Sequence, residues 1–95
     1  MTIPETFTIF GVQYKVVYDD QLVYRENNKG EAHVRFEIVK IQSDTEGVPH
    51  IRERQEQTFL HELVHIILCE MGEEDLSLNE QFVQLFSKML HQVLK

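Results

Sequence analysis

Over the first forty residues the apolar side chains fall at every second position. Val12, Tyr14, Val16 and Tyr18 alternate with Gln13, Lys15, Val17 and Asp19, the period of a strand with one buried face. Gly11 follows the β-prone Thr6–Phe10 and turns that segment into the next strand. Leu22–Glu26 and Glu31–Gln42 flank Asn27-Asn28-Lys29-Gly30, whose Asn and Gly residues supply positive φ for a hairpin. Within Glu31–Gln42, Val34, Phe36 and Ile38 share one face, and His33, Arg35 and Glu37 the other. Residues 6–42 therefore predict a small antiparallel sheet with one face covered by helices.

Residues 43–50 form a polar connection containing Gly47 and Pro49, and after it the period changes to 3.6. The pattern predicts a helix over about 51–71, stopped by Gly72 in a left-handed conformation. The acidic turn Glu73-Glu74-Asp75 follows, then a second helix over about 77–94. In that helix Leu78, Phe82, Leu85, Phe86, Met89, Leu90 and Val93 recur at three- and four-residue spacings and form the expected core-facing stripe. Strands first and helices second predict an α+β fold. There is no repeat and no linker, so residues 1–95 read as a single domain.

Composition adds limits. The 42% apolar and 26% charged content is that of an ordinary soluble chain. A net charge of −7 with no basic cluster argues against a nucleic-acid partner. One cysteine makes no internal disulfide and suits a reducing compartment. The N-terminus lacks the basic start and apolar stretch of a signal peptide, and the longest apolar run, Ile66 to Cys69, is far too short to span a membrane. The expected location is the cytoplasm, with no membrane partner.

The chemistry lies in His61-Glu62-Leu63-Val64-His65, an HExxH motif inside the most apolar helical segment. On a helix the two histidines stand one turn apart on one face, a spacing that suits two ligands of one zinc ion. Glu62 lies roughly 100° round from His61 and 60° from His65, beside the ion rather than on it, where a general base belongs. Thr58, His61, Glu62, His65 and Cys69 form one stripe that carries no Lys or Arg, unlike an ordinary solvated face.

A catalytic zinc site needs a third protein ligand. The pattern HExxHxxGxxH is excluded, because Leu68 and Met71 stand where Gly and His are required. Cys69 and Glu70 lie further along the same rigid helix, and Cys69 reads as a small buried hydrophobe. Glu73, Glu74 and Asp75 read as a solvated turn, and His91 as a surface residue about 16 Å along the second helix from Glu80. Glu80 is the best-placed ligand, on a helix that a short loop brings back against the first. Ser77-Leu78-Asn79-Glu80 is also a capping box, in which Glu80 would bond the Ser77 backbone N–H.

HELVH followed by a short loop and Asn79-Glu80 opening a helix resembles a gluzincin site. At this length the chain resembles the minigluzincins and small phage- or prophage-encoded metallopeptidase-like proteins, distantly akin to the ImmA/IrrE-type peptidase domain. That resemblance implies His61, His65 and Glu80 as zinc ligands and Glu62 as general base. In thermolysin-like sequences an Asp one turn beyond the glutamate ligand orients a histidine; here that position is Gln84, whose carbonyl oxygen is able to accept an imidazole N–H. The domain that completes the substrate cleft in larger relatives is missing. Tyr14, Tyr18, Tyr24, His33 and His50 are the available oxyanion donors, each more simply read as a packing or surface residue. The expected function is zinc-dependent hydrolysis of a peptide or protein substrate, with the strand from about Glu37 to Gln42 pairing with it. The alternatives are a non-catalytic zinc-binding accessory or interaction protein, and an interaction domain without metal.

Overall fold

The computed structural model describes residues 1–22, 30–33 and 37–95. Strand β1 (Thr6–Ile9) turns at Phe10-Gly11, both at positive φ, into β2 (Val12–Tyr18), the left-handed pair that a tight hairpin requires. In β2 the predicted alternation holds over Val12–Val17, with Val12, Tyr14 and Val16 inward and Gln13, Lys15 and Val17 exposed, but fails at its end, where Tyr18 is exposed. Leu22 is fully buried and helical, not the start of the expected Leu22–Glu26 strand; the rest of that stretch and the Asn27–Lys29 loop lie outside the described residues. So does the expected alternation over residues 34–36.

The stretch Glu31–Gln42 is not one strand. It is a hairpin of β3 (Gly30–His33) and β4 (Ile38–Ile41), in which Gly30 pairs with Ile41 and His33 with Ile38, and Glu37 takes positive φ at the start of the return. The sheet runs β1-β2-β4-β3 and is mixed rather than antiparallel throughout, because β4 pairs parallel to β2. The chain leaving β2 crosses to the far edge, lays down β3 and returns between the two. Residues 43–50 hold a second correction to the expected plain connection. Strands β5 (Asp44–Thr45) and β6 (Val48–Pro49) form a ribbon turned by Glu46-Gly47, again both at positive φ, with the Gly47 N–H donating to Asp44 Oδ1 at 2.7 Å.

Helix α1 (Arg52–Glu70) lies against the sheet, and Phe59, Leu60 and Ile66 pack on Tyr14, Val39 and Ile41. Phe7 stacks on Tyr14 with centroids 5.3 Å apart and meets Phe59 edge-on at 5.7 Å. Tyr14 is wholly buried, so its hydroxyl needs a partner, and it donates to Glu70 Oε1 at 2.8 Å. Gly72 stops the helix as expected: at positive φ it donates to the Cys69 carbonyl, and the Glu73 N–H reaches the Leu68 carbonyl. The expected turn at residues 73–75 and single helix over 77–94 are instead two helices, short α2 (Glu74–Leu78) and long α3 (Glu80–Leu94), parted at Asn79, whose extended backbone lets its side chain cap α3. Among the described residues no helix is long and apolar enough to cross a membrane. The architecture is α+β.

Helix α3 is rotated from the expected orientation. Val83, Ser87 and His91 face α1 and are buried, whereas Leu78, Leu85, Phe86, Met89 and Val93 are exposed and only Phe82 and Leu90 of the predicted stripe are half-buried. His91, expected at the surface, is 1% exposed, with Nε2 2.8 Å from Glu56 Oε1. The Glu56 carboxylate also lies 3.4 Å from Arg52 Nε and 3.8 Å from the Met1 amine, and the His91 hydrogen bond holds its pKa below the usual carboxylate value. The rotation follows from polar groups rather than oil. Glu80, Gln84 and His91 each have a partner on α1, and satisfying all three fixes the helix with its polar side inward.

Candidate metal centre

Helix α1 presents His61 and His65 one turn apart, with ring centroids 5.0 Å apart. Asn79 caps α3, its side chain accepting from the Phe82 N–H at 3.1 Å, so Glu80 becomes the first helical residue. Ser77 is therefore not the cap, and the capping-box reading of Glu80 fails: its side chain turns to the histidines instead. Glu80 Oε2 lies 3.3 Å from His61 Nε2, and Glu80 Oε1 lies 3.2 Å from His65 Nε2. Ligand atoms of all three residues fall within 4.8 Å of one another, a cluster able to hold a metal ion.

Two imidazoles and a carboxylate are a donor set that divalent metal ions such as zinc accept. Tetrahedral zinc takes imidazole nitrogen and carboxylate oxygen at about 2.0–2.1 Å, which puts neighbouring ligand atoms about 3.3 Å apart. The Glu80 carboxylate spans the two rings, meeting His61 through Oε2 and His65 through Oε1.

Each imidazole is oriented through its other nitrogen. His61 Nδ1 lies 2.9 Å from Gln84 Oε1, the contact anticipated for that glutamine, and as the N–H it donates to the amide oxygen. His65 Nδ1 lies 3.0 Å from Ser77 Oγ, which also sits 3.7 Å from Cys69 Sγ. Ser77 is the residue that sequence reasoning missed in this role, since its fit to the capping pattern masked it. Burial holds the His65 pKa below the ordinary histidine value, opposed by the Glu80 carboxylate, and so favours the neutral imidazole that metal binding requires.

Glu62 stands next to the triad without joining it. Its carboxyl is pushed up to about 7, chiefly by burial and then by the negative charges of Glu80 and Glu31. Gly30, Glu31 and Ala32 of β3 form the opposite wall of a cleft of about 310 Å³, which His61, Glu62, His65 and Glu80 complete. Gly30 is needed here for proximity, not for the positive φ expected of it. A Cβ at that position would sit 2.6 Å from Thr58 Cγ2, 3.1 Å from Glu62 Cγ and 3.2 Å from Glu62 Oε2.

Other expectations part from the site. Strand β4 is flanked on both sides by β2 and β3, so the stretch Glu37–Gln42 has no free edge for a substrate. The edge at the cleft belongs to β3. Tyr14 is committed to Glu70, and His50 Nε2 to Thr45 Oγ1 at 2.7 Å. Tyr18 is half exposed but does not line the cleft. Tyr24 lies outside the described residues, as does the His33 side chain. Glu73, Glu74 and Asp75 are exposed and, like His91, stand apart from the triad. Comparison with protein-family models, curated proteins and solved structures gives no match.

Proposed function

We propose that the chain is a minigluzincin-like zinc metallopeptidase, in which His61, His65 and Glu80 hold one Zn²⁺ and Glu62 is the general base. The observation that carries this reading is the pairing of a clustered His₂Glu set with a half-buried carboxyl outside that set, all opening on one cleft. A purely structural site has no use for that fourth group. Bound zinc supplies Lewis acidity, activating a water and polarising a carbonyl.

The remaining steps belong to the protein. Strand β3, the edge of the sheet among the described residues, lines the cleft opposite Glu62 and would guide an extended peptide so that its carbonyl lies across from that carboxyl. Glu62 takes the proton of the attacking water and delivers it to the leaving amine as the peptide bond breaks. A carboxyl that exchanges its proton near neutrality is matched to both transfers. Gln84 and Ser77 hold the histidine rings still while this happens.

Hydrolysis of an unstructured protein such as casein tests the reading. Activity should vanish with a chelator, return with zinc, and fall by about 10²–10⁴-fold in Glu62→Gln while zinc content is unchanged. Zinc loss in that variant would make Glu62 a ligand and overturn the mechanism. Full zinc with no hydrolysis of any peptide would favour the non-catalytic zinc protein instead.

A further inference from the structure

Among the described residues most of the apolar stripe of α3 is left uncovered, and only Phe82 of it packs inward, on the cluster of Val64, Leu68 and Val83. At 100° per residue, Phe82, Leu85, Phe86, Met89 and Val93 fall in an arc about 100° wide, centred roughly 150° round from the Val83–Ser87–His91 line that meets α1. Their exposures are 53% for Leu85, 46% for Phe86, 61% for Met89 and 80% for Val93, and Leu78, one residue ahead of the cap, adds another 80%. Phe82, Phe86, Met89 and Val93 follow the alternating four- and three-residue steps of a helix–helix seam. Phe82 and Phe86 are already stacked, centroids 5.7 Å apart.

We propose that this face is a homodimer interface, with α3 of one copy packing antiparallel on α3 of a second. Area supports a stable pair. Scaled by residue size, the exposed stripe with Leu78 amounts to roughly 650 Å² per copy, so a symmetric contact covering all of it would bury about 1,300 Å², at the lower end of the range of specific interfaces.

Charge supports a second copy of this chain over an oppositely charged partner. The chain carries −7, yet within α3 the only charged residues are Glu80 and Lys88, which cancel, and Glu80 is turned away toward the histidines. Two acidic molecules therefore meet with least repulsion on this helix. The antiparallel sense follows from the acidic Glu73, Glu74 and Asp75 at the start of α2, just ahead of it. Parallel packing would set these exposed acidic residues side by side, and antiparallel packing sends them to opposite ends.

Such a pair has its two-fold axis between Leu85 and Phe86, which sets Phe82 against Met89 of the other copy. The cleft opens between β3 and α1, so both sites remain free.

Sedimentation equilibrium of the full chain tests this. The expected mass is twice 11.3 kDa at micromolar concentration, falling to 11.3 kDa in Met89→Glu with unchanged helical circular dichroism. Should that variant lose helicity, Val93→Glu, at the most exposed apolar position of the stripe on α3, serves the same purpose. Val17→Glu, on the open face of the sheet, should remain dimeric. A wild-type mass of 11.3 kDa at every concentration would overturn the proposal, whatever else then binds the face. A dimer that survives both helix variants would overturn it equally.

Discussion

Ser77→Ala should damage zinc binding more than Gln84→Ala, although neither residue touches the ion. Losing the hydrogen-bond partner of a metal-bound histidine typically costs about 10–100-fold in affinity, or about 1.4–2.7 kcal/mol. Burial decides where in that range each variant falls. Ser77 is 8% exposed, and its hydroxyl is the polar partner of His65 Nδ1; without it that N–H faces the weakly accepting Cys69 sulfur. Water cannot easily replace it, so the full cost of an unpaired buried donor, about 1–3 kcal/mol, is expected. Gln84 is exposed, and water can take over its acceptance from His61 Nδ1. The expected losses are therefore about 100-fold for Ser77→Ala and about 10-fold for Gln84→Ala. Competition against a chromogenic zinc chelator at fixed pH reads both, and a thermal melt of the metal-free protein separates affinity from folding. Equal affinities for wild type and Ser77→Ala, or a larger loss in Gln84→Ala, would refute the reasoning.

Other consequences follow from the same geometry. Glu80→Ala should weaken zinc binding by orders of magnitude, while Glu73→Ala and Asp75→Ala leave a chelator titration unchanged. Glu62→Gln should stabilise the metal-free chain at alkaline pH. The folded carboxyl titrates at about 7 rather than 4.5, so its ionisation opposes folding not at all below the lower value and fully above the higher. Removing it should gain up to about 3 kcal/mol at pH 8 and nothing at pH 4, as urea denaturation at the two pH values would show. Gly30→Ala forces a methyl into the Thr58 side chain at 2.6 Å, and overpacking of this kind costs about 1–3 kcal/mol. It should also lower hydrolysis by shifting Glu62; a variant with wild-type stability would mean that β3 sits further from α1 than described here.

What the sequence revealed and what it hid divide along the range of the interactions. The β2 alternation, the span of α1, its stop at Gly72 and the two histidines on one helix face are local, and each was legible from spacing. Glu80 was legible because a ligand set must be completed. The parallel β2–β4 pair was not, since no residue near either strand encodes which neighbour lies between them. The Glu46-Gly47 turn was hidden because glutamate at positive φ gives no compositional signal, and the short polar strands beside it look like loop. Asn79 took the cap from Ser77, which two overlapping motifs left open, and so freed Ser77 for His65. The rotation of α3 misled most. Hydrophobic periodicity there is strong but describes a surface, while Glu80, Gln84 and His91 fix the buried side through polar contacts that come from α1, 15 to 35 residues earlier.

The central claim, that His61, His65 and Glu80 form a zinc site, is tested most directly by metal content. Purified without chelator, the wild-type chain should carry one zinc per molecule, and X-ray absorption should show two imidazole nitrogens and carboxylate oxygen at about 2.0–2.1 Å. The His61→Ala, His65→Ala double variant should carry almost none while keeping its helical content. Stoichiometric zinc in that double variant, or none in the wild type after incubation with excess zinc, would contradict the account.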